Sequence, residues 1–242
     1  MKKLYIIGIG PGGESDFTLG MLRALEESAV VVGYGPYLNY IKKYTEGKEI
    51  YATGMKSEIE RCKKAVASAE AGKTTAIVST GDAGLYGMAG PILELAAEKA
   101  IDIQVIPGIS ANFSAASVVG APIMHDMATI SLSDLMTPLD VIKKRIRLAA
   151  EGDFVICFYN PRSKGRPGYL KAAIDLLKET GYEDSRPVAL VKHARRQGEE
   201  AVLTTVGDLD ESFCDMNTMV IVGNKETYMK GGYMVTPRGY KI

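Results

Sequence analysis

The chain carries 242 residues, 29 of them Lys or Arg and 29 Asp or Glu, so its formal net charge is zero. That balance argues against a general nucleic-acid binder, which needs a basic excess to displace counterions from phosphates. A hydrophobic content of 46% argues against disorder. Cys62, Cys157 and Cys214 form no CxxC, so they offer neither a disulfide framework nor a zinc site, and the expectation is buried small residues and no metal. No run reaches the roughly 20 apolar residues that span a bilayer, and Gly10-Pro11-Gly12-Gly13 stops the first apolar run too early for a signal peptide. These features predict a folded, cytoplasmic protein with no membrane or nucleic-acid partner.

The first half alternates strand, glycine turn and helix. Residues 4–9 are β-branched and apolar, which predicts a buried strand. Asp16 or Thr18 can cap the next helix, along which Leu19, Leu22 and Leu25 recur at helical spacing. Val30-Val31-Val32 predicts a second strand and residues 58–71 a helix. A strand at 75–79 closes in Thr80-Gly81-Asp82, and a helix follows at 92–99. A strand at 101–106 then turns through Pro107-Gly108 into a helix over 110–119. Strands alternating with helices of this length imply parallel pairing.

Beyond Pro122 the texture changes. A strand at 129–132 precedes a helix at 138–150, whose Lys143, Lys144, Arg145 and Arg147 read as a solvated face. A buried strand at 154–159 leads into the polar loop from Asn160 to Pro167, then a helix at 169–179 and strands at 187–192, 201–206 and 218–222. Short strands close in sequence predict a mixed sheet. The fold expected is two α/β domains, 1–121 with a mostly parallel sheet and 122–242 with a mixed one.

Gly8-Ile9-Gly10-Pro11-Gly12-Gly13 contains a formal GxGxxG, but two features count against dinucleotide binding. The second strand ends in Gly33-Tyr34-Gly35 where a ribose-binding acid is expected, and Pro11 removes one N–H from the loop. The loop Thr80-Gly81-Asp82-Ala83-Gly84-Leu85-Tyr86 lies at the carboxyl end of its strand, where open α/β sheets bind ligands. Asp82 there either accepts from an amine or ribose hydroxyl or caps the following helix. With Pro107-Gly108-Ile109-Ser110-Ala111, three small-residue loops favour a crevice for an extended small molecule.

With these motifs in order, the sequence resembles the tetrapyrrole (class III, S-adenosylmethionine-dependent) methyltransferases over nearly its whole length. Gly8 to Gly12, Thr80-Gly81-Asp82 through Tyr86, Pro107-Gly108-Ile109-Ser110-Ala111 and Gly120-Ala121-Pro122 look like the family's successive motifs, with Ala83 where proline is common. Gly33-Tyr34-Gly35-Pro36-Tyr37, Phe158-Tyr159-Asn160-Pro161-Arg162-Ser163, Lys192-His193-Ala194-Arg195-Arg196 and Thr236-Pro237-Arg238-Gly239-Tyr240 are similar to the precorrin-3B / cobalt-precorrin-3 C(17)-methyltransferases of cobalamin synthesis. The resemblance implies S-adenosylmethionine folded in a cleft between two domains, and a homodimer. It implies cofactor contacts from Thr80, Gly81, Asp82, Leu85, Ser110, Ala111, Asn160 and Ala194, with Gly10 and Pro11 facing the tetrapyrrole. The reaction implied is methyl transfer to C(17) with contraction of the ring.

The sulfonium is already a reactive donor, so the protein's part is alignment, with a general acid or base for the contraction. His125-Asp126 is the first pair to consider, as a proton shuttle or as a histidine anchoring the interdomain turn. Tyr86 is a further donor, or a ring packed in the core. The substrate's acetate and propionate arms call for cations, and Arg162, Lys164, Arg166, His193 and Arg195 are the expected partners. Met124, Met127 and Met136 fill core gaps or border the macrocycle. Other readings are a methyltransferase of the precorrin-4 or precorrin-2 type, a diphthine synthase, or a nucleotide-binding regulatory module without chemistry.

Overall fold

The computed structural model describes residues 2–163, 165 and 167–241. The chain divides into two compact units, Met1–Ala111 and Asn112–Ile242.

The first unit contains β1 (Lys3–Gly8), α1 (Leu19–Glu27), β2 (Val30–Tyr34), a single-turn α2 (Gly35–Leu38), β3 (Glu49–Thr53), α3 (Glu58–Glu70), β4 (Thr75–Ser79), α4 (Ala89–Ala96) and β5 (Asp102–Ile106). The strands form one sheet in the order β3-β2-β4-β1-β5, every pair parallel. Side-chain alternation in β1 explains the layering. Leu4 and Ile6 pack with Cys62, Ala65 and Val66 of α3 and Ile92 of α4, while Tyr5, Ile7 and Ile9 pack with Met21, Ala24 and Leu25 of α1. A strand buried on both faces must be apolar throughout, which is why β1, β2 and β4 were legible as short β-branched runs.

Thr18, rather than Asp16, caps α1, its Oγ1 accepting the Met21 N–H at 3.1 Å. The helix therefore begins at Leu19, whose side chain is 70% exposed, and the buried stripe is Met21, Ala24 and Leu25 instead of the expected Leu19, Leu22 and Leu25. The edge strand β3 was not foreseen: Glu49-Ile50-Tyr51-Ala52-Thr53 lacks an apolar run because its outer side faces solvent. Lys73 pairs with Glu49 at 2.5 Å and Tyr51 hydrogen-bonds Glu60, charges that discourage pairing with another chain.

The second unit contains most of α5 (Ala111–Val119), then β6 (Gly120–Ala121), β7 (Met127–Ser131), α6 (Leu139–Glu151), β8 (Val155–Tyr159), α7 (Tyr169–Glu179), β9 (Pro187–Lys192), β10 (Glu200–Thr205), β11 (Thr218–Val222), β12 (Tyr228–Lys230) and β13 (Tyr233–Val235). Its main sheet runs β10-β9-β11-β8-β7, antiparallel except for β7 beside β8. Ile142 and Ile146 of α6 and Leu170, Ile174 and Leu177 of α7 pack on Ile156, Phe158, Val188, Leu190, Val220 and Val222. Phe158 is fully buried. The solvated face expected of α6 is present, with Lys143, Lys144, Arg145 and Arg147 all exposed.

A small sheet, β12-β13-β6, completes this unit, with β13 parallel to β6. A run of hydrogen bonds adjoins it: Asn224 N–H to Thr227 Oγ1 (2.9 Å), Thr227 to Thr236 (2.8 Å) and Thr236 Oγ1 to the Pro122 carbonyl (2.5 Å). The proton count closes if each hydroxyl donates onward in that order, so the buried hydroxyls of Thr227 and Thr236 are both satisfied.

Candidate active site

In the first unit, the connection from β1 to β2 passes over β4, and the one from β4 to β5 passes over β1. Adjacent strands β1 and β4 therefore send their chains in opposite directions, and such a switch point is where open α/β sheets hold ligands. The loops after β1, β4 and β5 meet there through backbone. Gly10 and Gly81 form an isolated antiparallel bridge, with N–H···O distances of 3.1 and 2.8 Å and φ of +67° and +66°. A Cβ on Gly108 would lie 2.3 Å from the Gly81 oxygen and 2.5 Å from that of Gly8. The glycines thus let three loops approach one another, and the space they leave is filled by main chain.

Asp82 joins two of these loops. Gly84 donates to its Oδ1 at 2.8 Å and Gly108 to its Oδ2 at 3.1 Å. It does not cap α4, whose N-cap is Met88 with no side-chain hydrogen bond. An ionised carboxylate has about four acceptor sites, so Asp82 retains lone pairs for a ligand's amine or hydroxyl. Thr80, Gly81, Leu85, Ser110 and Ala111 are half-buried around this junction, and Ala111 N lies 3.7 Å from a Cβ built on Gly81. Gly10 and Pro11 are buried beneath the loop rather than open at its surface. Ser79 Oγ is buried without a hydrogen-bond partner among the described residues. An orphaned hydroxyl at the end of β4 and a carboxylate with spare acceptors in the loop that follows suit a ligand bearing an amine and hydroxyls.

In the second unit β8 and β9 both run antiparallel to β11, and β7 runs parallel to β8, so the carboxyl ends of β7, β8 and β9 share one sheet edge. Ser131, Asn160 and His193-Ala194-Arg195 stand at that edge. Asn160 has φ +54°, and its Nδ2 donates to Ser131 Oγ at 2.9 Å. His193 and Arg195 have φ of +49° and +58°, a conformation that costs side-chain-bearing residues about 1–2 kcal/mol. Ala194 between them is buried, and Arg195 N donates to Glu199 Oε2 at 2.6 Å. The sequence reading missed Asn112, which is 1% exposed, its side chain against Thr129 of β7 and Tyr159 of β8. Its N–H donates to Tyr159 Oη, which donates back to its Oδ1, both at 3.2 Å. Tyr159 stood in a singled-out motif, but nothing in the sequence pointed to Asn112.

Other expected residues fall elsewhere. His125 and Asp126 precede β7, whereas Asn160 follows β8, so they occupy opposite edges of the sheet, separated by the roughly 13 Å length of β7. The reason is α5, whose nine residues carry the chain about 13 Å before the turn at Pro122. His125 Nδ1 accepts the Asp126 N–H at 2.8 Å. Arg162 Nη1 donates to the Glu211 carbonyl at 2.9 Å. Lys164 and Arg166 lie outside the described residues. The alternative of a core ring for Tyr86 does not hold: it is 55% exposed with φ +56°. Nor are Met124 and Met136 core residues, being 49% and 93% exposed in loops. All three cysteines are buried, and burial pushes the thiols of Cys157 and Cys214 up to about 12, so neither offers a thiolate near neutral pH.

Among the described residues no group of three or more His, Cys, Asp or Glu is placed to hold a metal, and no helix is long and apolar enough to cross a membrane. Residues 3–210 match the model of the family described as Tetrapyrrole (Corrin/Porphyrin) Methylases. A "Probable cobalt-factor III C(17)-methyltransferase" of Salmonella typhimurium is 52% identical over 99% of this chain and 100% of its own length. A "Precorrin-3B C(17)-methyltransferase" of Sinorhizobium sp. is 35% identical over 98% of this chain and 96% of its own. The crystal structure of the methyltransferase CobJ superposes with a TM-score of 0.91 at 35% identity, covering 97% of this chain and 99% of that one.

Proposed function

The chain belongs to the tetrapyrrole (corrin/porphyrin) methylases, and on that premise we propose that it transfers a methyl group from S-adenosylmethionine to C(17) of cobalt-factor III in corrin-ring synthesis. The observation that carries this reading is the 52% identity with the Salmonella typhimurium protein across both full lengths. The higher identity to that cobalt-named relative than to the precorrin-3B one supports the cobalt-containing substrate.

The bound cofactor would supply a methyl group on a sulfonium, already activated for transfer. The residues that would hold it are Thr80, Gly81, Asp82, Leu85, Ser110 and Ala111, with Ser79 Oγ as an added donor and Asn160 and Ala194 as adenosine contacts. What these residues do is fix position: the loop junction is rigid main chain, so a ligand seated on it loses little further freedom at reaction. For ring contraction we assign proton transfer to His193 in preference to His125, because His193 shares its sheet edge with Asn160 and Ala194. Its strained backbone supports a fixed aim. Arg162 and Arg195 are proposed for the substrate's carboxylates and a homodimer for the assembly.

Incubation with methyl-labelled S-adenosylmethionine and, separately, cobalt-factor III, cobalt-precorrin-3 and precorrin-3B tests the reading by mass spectrometry. One added methyl on the first is the expected result, and NMR then places it. Transfer to none of them, with S-adenosylhomocysteine still bound, would overturn it in favour of another substrate or of a binder without chemistry.

A further inference from the structure

We propose that Tyr40 is a positioning residue for the tetrapyrrole, acting through the loop that follows β1; the inference rests on the function proposed above. That loop and the segment after α2 both leave the carboxyl edge of the parallel sheet. Three contacts of different chemistry fasten one to the other. The ring of Tyr40 fills the place of a side chain at Gly12, where a built Cβ would lie 2.8 Å from Cδ1 and 2.9 Å from Cγ. Lys43 pairs with Glu14. Phe17 meets Tyr44 edge to face, their centroids 5.8 Å apart and planes at 66°.

These contacts fix position more than they add stability. The Lys43–Glu14 pair is exposed on both sides, a setting in which ion pairs contribute little. Gly12 has φ +109°, a conformation that glycine alone adopts readily, and the ring against it holds the peptide there. Gly10 and Pro11 are buried while Gly12, Gly13 and Tyr40 are half-buried, so the peptide that Tyr40 supports is open to a ligand beside the exposed Glu14 and Ser15. A peptide without side chains beside an aromatic ring suits the flat face of a macrocycle.

The test uses the full-length protein with cobalt-factor III as the tetrapyrrole and S-adenosylhomocysteine as the cofactor probe. Tyr40→Ala should raise the KM for cobalt-factor III by about tenfold, leave S-adenosylhomocysteine affinity within about twofold, and Tyr40→Phe should restore most of the loss because it keeps the ring. If KM is unmoved in Tyr40→Ala, or if cofactor affinity falls as far as the tetrapyrrole KM rises, Tyr40 is only a structural residue and the inference fails alone. If the wild-type protein binds S-adenosylhomocysteine but methylates no tetrapyrrole, the functional reading fails and takes the inference with it.

Discussion

The two units build the carboxyl edges of their sheets by opposite means. In the first, the loops after β1, β4 and β5 place glycine at most of their left-handed positions, Gly10, Gly12 and Gly81, with Tyr86 the exception. In the second, the left-handed positions at the same kind of strand end are Asn160, His193 and Arg195. Asparagine tolerates that conformation, whereas histidine and arginine pay for it in backbone strain. The difference teaches how each edge works. One presents main chain, packed tightly enough to be rigid; the other holds side chains in fixed directions at the expense of stability.

The largest effect should come from giving the glycine edge a side chain. Gly108→Ala would drive a methyl group to 2.3 Å from the Gly81 oxygen, contact that only main-chain movement can relieve. We expect a loss of about 3 kcal/mol or more, read as a fall in Tm of roughly 6–12 °C by calorimetry. An unshifted Tm would mean that the three-loop junction is loose. The second unit is tested by its imidazoles. His193→Ala should lower turnover about 100-fold while S-adenosylhomocysteine affinity holds, and His125→Ala should leave turnover nearly unchanged; the reverse order would return the proton to His125 and deny the sheet-edge argument. The smallest effect falls on the carboxylate that joins two of the first unit's loops. Asp82→Ala leaves the part-buried N–H of Gly108 without its acceptor, worth about 1–3 kcal/mol, while the exposed N–H of Gly84 turns to water. Titration calorimetry should show S-adenosylhomocysteine binding weakened by about tenfold, with Asp82→Asn intermediate because one amide oxygen still accepts. Equal affinity in all three proteins would remove Asp82 from the site.

The parallel half of the fold was legible because its central strands are buried on both faces, and each meets a glycine at its end or within the next two residues. The same pattern marked three small-residue loops as a crevice, whereas Thr80, Gly81, Asp82, Ser110 and Ala111 were grouped by the resemblance to the methyltransferase family. What escaped was whatever depends on partners distant in the chain. Asp82 meets Gly108 across 26 residues, and Asn112 meets Tyr159 across 47, with no local pattern to announce either. β6 pairs through only two residues, too few for any alternation to register. His125 lies at the other end of β7 from Ser131, a separation that sequence proximity to Pro122 does not reveal. The strain at His193 and Arg195 was invisible because φ is not written in residue type unless the residue is glycine.

The run of hydroxyls from Asn224 to Pro122 has a bearing on how the protein is made. Thr236 closes onto Pro122 across 114 residues, and β6 has no parallel partner until Tyr233–Val235 exist. Every strand of the first sheet, by contrast, lies within the opening 106 residues. On a ribosome adding about 5–20 residues per second, amino-terminal segments fold first. The first unit therefore has all its strands while most of the second is still unsynthesised, and the small sheet cannot close until β13 has been made. A product ending before Tyr233 would carry a finished first sheet and an unclosed second unit.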